Sequence, residues 1–511
     1  MDPRTSPRFK GDAFEQYKPV RNHLRKVALI ESLGVIRSYV QHMQFGSDFP
    51  SDIEVAPYFL QARTPLERKV FEWEIDVLAR EVILNASELK GAPETLRRWS
   101  YFSNAVNKLK TFADDLTSLY PKGSIMLEIH RIAHRQFIWQ QRPNAVWTAR
   151  YFRIFSDPAI DEIIRHTIGI GTKDLYGLGM ALLGLYHDRF ALNYPPTIEI
   201  PGLDLSKLDL LLQHFATTMA DLKLRTAEVQ EINENHAYVF NPLRIHPLVW
   251  VDLDGQRSVI APIPTFLWWR FTEGVYYEIY NAPGFSDAFG RSYQAYVGHS
   301  IARANESRRL KVYPEAEYYV GKDRRDSIDW IIEDATAMLF VESKTKRLRL
   351  DAKTELRSRE ALESEIDKLA AFLVQVYKTI RDFRENRYPH RKYDPAKAVF
   401  PLVVTLGEWF AFGDMIQQEI ERRVVEKLEQ EGLPREWVDD MPYATCSIQE
   451  FERLVQVLHT EGIAEVMRRR ASNSEYKKWQ LGAVINQEFK SAVATVRPLF
   501  PEVMDELARW P

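Results

Sequence analysis

The chain of 511 residues contains a single cysteine, Cys446. That excludes an internal disulfide and any multi-cysteine zinc site. No apolar run approaches the ~20 residues needed to span a bilayer. The N-terminal stretch MDPRTSPRFKGDAFEQYK has none of the apolar core of a secretory signal. These absences lead us to expect a cytoplasmic protein with no membrane partner. Net charge is only -3, so any contact with nucleic acid must come from a local basic face. No fixed-period repeat and no low-complexity segment occurs. The glycine-rich GIGTKDLYGLG at 169–179 is no phosphate loop, because Thr172 precedes Lys173 and no strand pattern leads into it.

Apolar content of 45% and charged content of 27% fit an ordinary globular protein of two to four domains. The first half has helical periodicity. Leu29, Leu33, Ile36, Val40 and Met43 form one stripe. Thr64-Pro65-Leu66-Glu67 carries an N-cap, a proline at the first helical position and a capping-box glutamate. A helix is expected from there through Val70, Ile75 and Leu78. Near residue 245 the character changes. Two strand-like runs flank Asp254-Gly255, a hairpin signal, and the segment GFSDAFGRSYQAYVGHSIARA then reads as a helix. Strand-like runs follow at 312–320, 327–333 and 338–344. A helix of about 22 residues has apolar positions at Leu362, Ile366, Leu369, Leu373, Val376, Ile380 and Phe383, and AVFPLVVTL at 398–406 reads as a buried strand. The order helix, three strands, helix, strand is an α/β sandwich pattern. The remainder reads as helical, with a capping box at Ser447–Glu450. The expected division is a helical region at 1–244, an α/β domain with its preceding hairpin at 245–410, and a helical region at 411–511.

The chemistry concentrates in DSIDWIIEDATAMLFVESKTKRLRL, residues 326–350. If Asp334-Ala335-Thr336-Ala337 forms the turn, Asp329 faces Glu342 across an antiparallel pair. Two carboxylates directly opposed repel, which a structural role does not explain, whereas a hard divalent cation suits that spacing. Strand alternation puts Lys344 on the same face as Glu342. A surface hairpin with a Glu–Lys pair is the alternative, but IDWII and AMLFV read as central strands. A paired-carboxylate metal site with an ammonium beside it is what phosphodiester hydrolysis requires. The basic run of Lys346, Arg347, Arg349 and Lys353 follows at once and is expected to contact phosphates of the nucleic acid.

At Asp329 and Glu342-Ser343-Lys344 the sequence resembles the PD-(D/E)XK nuclease superfamily. The resemblance spans about residues 284–410. It implies a restriction-endonuclease-like αβββαβ core, here flanked by mostly helical N- and C-terminal regions. It implies Mg²⁺ (or Mn²⁺) on Asp329 and Glu342, with Lys344 catalytic. It also implies nucleic acid as substrate, DNA ahead of RNA, in a setting such as restriction or phage defence. Gln294 stands where many relatives carry a glutamate on the leading helix, and Glu315 or Glu317 could contribute instead. Gln375 is followed by Tyr377, which breaks the Q-x-x-x-Y spacing of an exonuclease-like branch. The helical N-terminal half exceeds what cleavage needs and is expected to sense, recruit or restrain, through a protein partner or a trigger. The rival class is a non-catalytic scaffold that keeps a degenerate nuclease fold.

Overall fold

The computed structural model describes residues 13–509, apart from 90, 118–131, 134, 141, 197–203, 346–358, 389–390 and 410–412. The chain divides into two compact units. Among the described residues, unit 1 comprises those of 13–282 and 502–509, and unit 2 those of 283–501. Both mix helices with small sheets. No helix among the described residues is long and apolar enough to cross a membrane.

Unit 1 is mainly helical. The expected stripe lies on helix Leu29–Phe45, with Leu33, Ile36, Val40 and Met43 buried. Thr64 does cap a helix, accepting the Glu67 N–H at 3.3 Å. That helix stops after Arg68, because Lys69 adopts a left-handed φ of 58°, and a second helix starts at Glu72. Between the helices, GIGTKDLYGLG supplies Gly169 as the C-cap of Pro158–Ile168 and the start of Thr172–Asp188. The Asp254-Gly255 hairpin forms as expected. Both turn residues take positive φ (55° and 81°), as a two-residue hairpin turn matched to strand twist requires. It belongs to unit 1, in a four-stranded sheet with Ala191–Asn193 and Ala216–Thr218. Deep in unit 1, the fully buried Glu81 accepts hydrogen bonds from Tyr17 (2.5 Å), Gln230 (2.9 Å) and Arg80 (3.2 Å), beside His236 at 3.0 Å.

Unit 2 starts with helix α1 (Phe285–Ala304), followed by β1 (Lys311–Pro314), β2 (Glu317–Val320), β3 (Asp323–Asp326), β4 (Trp330–Glu333) and β5 (Ala337–Lys344). Helix α2 (Arg359–Arg384), β6 (Ala398–Thr405), α3 (Asp414–Gln430), β7 (Ala444–Ser447), α4 (Ile448–Glu461) and α5 (Ile463–Ala471) complete the part that matters here. The main sheet runs β7-β6-β5-β4-β1. Strands β1, β4 and β5 are antiparallel neighbours, while β5, β6 and β7 are parallel. Long parallel neighbours are buried on both faces, and β5 and β6 are accordingly near-continuous apolar runs.

Two further expectations need correction. The single strand at 312–320 divides at Glu315-Ala316, and its second half pairs with β3 as a separate two-stranded hairpin. The boundaries at 245 and 411 differ from the compact units. The Leu248–Ile260 hairpin lies in unit 1. The segment after 410 adds β7 to the main sheet and lays α3 against α2, where Asp367 meets Lys427 at 2.9 Å and Arg423 at 3.4 Å. It therefore cannot stand apart as a helical appendage.

Candidate functional site

The site begins at the β4–β5 turn. Asp334 Oδ1 accepts the N–H groups of Thr336 (2.7 Å) and Ala337 (2.9 Å), and the Asp334 N–H donates to the Ala337 carbonyl at 3.1 Å. Such a side chain mimics the backbone of a turn and fixes its geometry. Pairing then runs Glu333 to Met338, Ile332 to Leu339, Ile331 to Phe340 and Trp330 to Val341. The next step of this register sets Asp329 opposite Glu342, as the sequence predicts. Asp329 lies just before β4 begins, and its Oδ2 accepts the Ser343 N–H at 2.6 Å. A carboxylate thus takes over where the backbone ladder ends.

Glu342 is buried at 6% exposure. Lys344 Nζ donates to its Oε1 at 2.5 Å and to Gln375 Oε1 of α2 at 3.2 Å, and stands 5.2 Å from the Phe372 ring centroid. On the other flank, Gln294 of α1 donates to Glu315 Oε2 at 3.0 Å. The Trp330 indole N–H donates to the Gln294 carbonyl at 3.1 Å, which ties α1 to the strand next to Asp329.

The electrostatics match two carboxylates forced together. Burial first, then the charge of Glu342 and, less strongly, that of Glu315, push the Asp329 carboxyl up to about 7 against the Ser343 hydrogen bond. Burial also raises Glu342, while Lys344 pulls it back and Glu315 raises it further. Both groups hold protons more tightly than an ordinary carboxyl, which is the state a dication would relieve.

Of the remaining candidates, Glu315 acts on the pair through its charge. Glu317 is taken up on the β2–β3 hairpin by Arg324 (2.8 Å) and Tyr319 (2.7 Å). Lys346, Arg347, Arg349 and Lys353 lie outside the described residues. Gln375 is the residue that spacing arguments set aside. It reaches Lys344, while Tyr377 turns into the core and donates to the Met441 carbonyl at 2.7 Å. The available signal was local: Gln375 follows Phe372 by three positions, so both lie on one helix face.

Against known protein families, curated proteins and solved structures, the chain matches none. Function must therefore be argued from the side chains. Among the described residues, no group of three or more His, Cys, Asp and Glu side chains forms a cage for a metal. Mg²⁺ needs no such cage, since one or two carboxylates suffice when water and substrate oxygens fill the other positions. Asp329 and Glu342 fit that requirement as hard oxygen donors with an excess of proton affinity.

Proposed function

We propose that unit 2 is a metal-dependent nuclease of the PD-(D/E)XK kind, which hydrolyses phosphodiester bonds in nucleic acid, DNA ahead of RNA. The observation that carries this reading is the register that opposes Asp329 to Glu342 with Lys344 bound to the latter. The order α1, β1, β4, β5, α2, β6 supports it, since it corresponds to the αβββαβ core of that superfamily with the β2–β3 hairpin inserted.

Asp329 and Glu342 would hold Mg²⁺ or Mn²⁺. The ion supplies charge for the phosphate and lowers the pKa of a water. The chain supplies position. Asp329 is oriented by the Ser343 N–H, and Glu342 by the Lys344 ammonium. Lys344 Nζ bridges Glu342 and Gln375 of α2. It can orient the attacking water or stabilise charge developing on the phosphate. Gln375 keeps that ammonium in place. The basic segment after Lys344 would carry the phosphates on either side.

The test is cleavage of plasmid and single-stranded DNA, with RNA in parallel. Cleavage with Mg²⁺ that disappears in EDTA and in Glu342→Ala supports the enzyme. A second reading, a non-catalytic scaffold, draws on Gln294 standing where relatives carry a carboxylate. Absence of cleavage together with absence of Mn²⁺ binding by the wild-type chain would decide for the scaffold.

A further inference from the structure

The β2–β3 hairpin is rooted in the candidate site. On one side of Glu315, Pro314 pairs with Trp330. On the other, the Ser327 N–H donates to the Ala316 carbonyl at 2.9 Å, and the Ala316 N–H donates to Ser327 Oγ at 2.8 Å. Ile328 and Asp329 therefore stand together against the single residue Glu315. Two residues opposed to one is the count of a β-bulge, a device that bends a strand and re-aims a side chain. Ile328 is buried in one core cluster with Tyr318 and Tyr388, while Asp329 reaches the Ser343 N–H. The main ladder breaks at this point, and the hairpin continues as a separate sheet.

Asp382 of α2 anchors that hairpin. Tyr318 and Arg325 are direct cross-strand partners, so their side chains share a face. The Tyr318 hydroxyl and Arg325 Nη1 both donate to Asp382 Oδ2 at 2.7 Å. Asp382 Oδ1 accepts from Arg381 at 3.1 Å and from Arg387 at 2.8 Å. The residue is buried, and hydrogen bonds to an ionised group are roughly twice as strong as neutral ones. Asp382 follows Gln375 by seven positions on α2. The two therefore lie on one helix face, two turns and about 10 Å apart. Gln375 holds Lys344, whose ammonium holds Glu342. One face of α2 thus grips both halves of the site: Glu342 and Lys344 through Gln375, and the root of the hairpin through Asp382.

We propose that Asp382 is a positioning residue for the carboxylate pair. It clamps the β2–β3 hairpin to α2, and the hairpin sets the bulge that turns Asp329 toward Glu342 and keeps Glu315 alongside. Tyr318 and Arg325 are the grips of the clamp. Arg387 satisfies the same carboxylate from outside the hairpin. The consequence for metal binding rests on the nuclease reading; the placement of Asp329 does not.

Asp382→Ala would strand three guanidiniums, so the test alters the grips instead. Arg325→Met, Tyr318→Phe and the double variant are compared with Arg387→Met in the full chain. Each removes a hydrogen bond to Asp382, but only the first two residues belong to the hairpin. The readouts are hydrogen exchange of the Ser343 amide in EDTA and Mn²⁺ affinity by equilibrium dialysis. In the double variant the Ser343 amide should exchange about tenfold faster, since its bond to Asp329 loosens. Its Mn²⁺ affinity should fall about 10–100-fold, as when partners that orient metal ligands are removed. Arg387→Met should lose comparable thermal stability and leave both readouts at the wild-type level. Arg325 is 37% exposed, so Arg325→Met carries the test should the double variant fail to fold. Unchanged Ser343 exchange in the hairpin variants, or an equal change in Arg387→Met, overturns the proposal. A wild-type chain that binds no Mn²⁺, while Ser343 still responds to the hairpin variants alone, refutes the nuclease reading and leaves Asp382 in its role.

Discussion

Replacing Asp329 by Asn should stabilise the metal-free protein above neutral pH and leave it nearly unchanged in acid. The substitution keeps the shape and the acceptor that takes the Ser343 N–H, and removes one of two opposed charges. Burial, then Glu342, then Glu315 push the Asp329 carboxyl up to about 7, against about 3.9 for a free aspartate. The sign follows from proton binding. Between about pH 4 and pH 7 the unfolded chain has released this proton and the folded chain still holds it. Wild-type stability therefore falls as pH rises through that window, and levels off above it. At 1.36 kcal/mol for each pH unit the loss would be about 4 kcal/mol for a sealed site. Asp329 is half-buried, and solvent screening reduces this to about 2 kcal/mol. At ~2–4 °C per kcal/mol, Asp329→Asn should melt roughly 5 °C above wild type near pH 8 in EDTA and match it near pH 4.5. Calorimetry of the full chain at the two pH values measures this. Mg²⁺ should raise the wild-type transition near pH 8 and raise that of the variant much less, because a ligand stabilises only the state that binds it. A variant that melts lower than wild type by the same amount at both pH values would refute the reasoning. Asp329 would then be a hydrogen-bond partner of Ser343 and nothing more.

Two further outcomes follow from the same geometry. Lys344→Met should leave Mn²⁺ affinity within a few-fold of wild type and lower the single-turnover cleavage rate by about 10²-fold or more; Lys344→Arg should not restore it, because a planar fork cannot replace a compact ammonium held between Glu342 and Gln375, and a wild-type rate in the arginine variant would reduce the residue to a charge. Gly298→Ala on α1 would place a methyl 2.1 Å from Cζ2 of Trp330, so it should cost about 1–3 kcal/mol by overpacking and shift the strand next to Asp329, with both unfolding and cleavage rate as readouts; an unperturbed melting temperature would mean that the indole has room to move.

The turn at Asp334 was legible because its chemistry is local, and the opposition of Asp329 to Glu342 follows from it by counting. The leading helix, α2 and β6 were legible from apolar periodicity. What escaped the sequence has identifiable causes. Strand β3, Asp323-Arg324-Arg325-Asp326, has no apolar alternation. It is held to the rest by charge: Asp382, 2% exposed, accepts from Arg325 and Tyr318 at 2.7 Å and from Arg387 at 2.8 Å. Strand β7 is four residues long and precedes a strong capping box at Ser447 and Glu450, so helix signals dominate the segment. The break after Arg68 depends on a left-handed Lys69, a conformation that no lysine advertises. Gln375 and Asp382 become interesting only once the fold sets them beside Lys344 and the β2–β3 hairpin.

The strand that carries the candidate site has a property that makes the turn more than a connector. A strand with one wet face is held in register by its alternating pattern, because a slip of one residue would expose its apolar set. In β5 the residues from Ala337 to Glu342 are all buried, and β4 is nearly so. Apolar packing therefore discriminates weakly between registers, although a slip would carry Glu342 to the face opposite α2. Asp334 supplies the missing specification. Its Oδ1 closes the turn, and its Oδ2 accepts the Ile463 N–H at 2.7 Å, at the start of α5. Asp334→Ala should cost about 2–4 kcal/mol, from several hydrogen bonds to one carboxylate. It should also lower cleavage per folded molecule at temperatures well below the unfolding transition. Asp334→Asn keeps a turn-forming acceptor and should recover most of the rate. Hydrogen exchange at the Ser343 amide reports the register directly, because that N–H is protected only when Asp329 faces it. If Asp334→Ala loses stability yet cleaves at the full rate with Ser343 still protected, packing alone fixes the register and the turn is dispensable to the site.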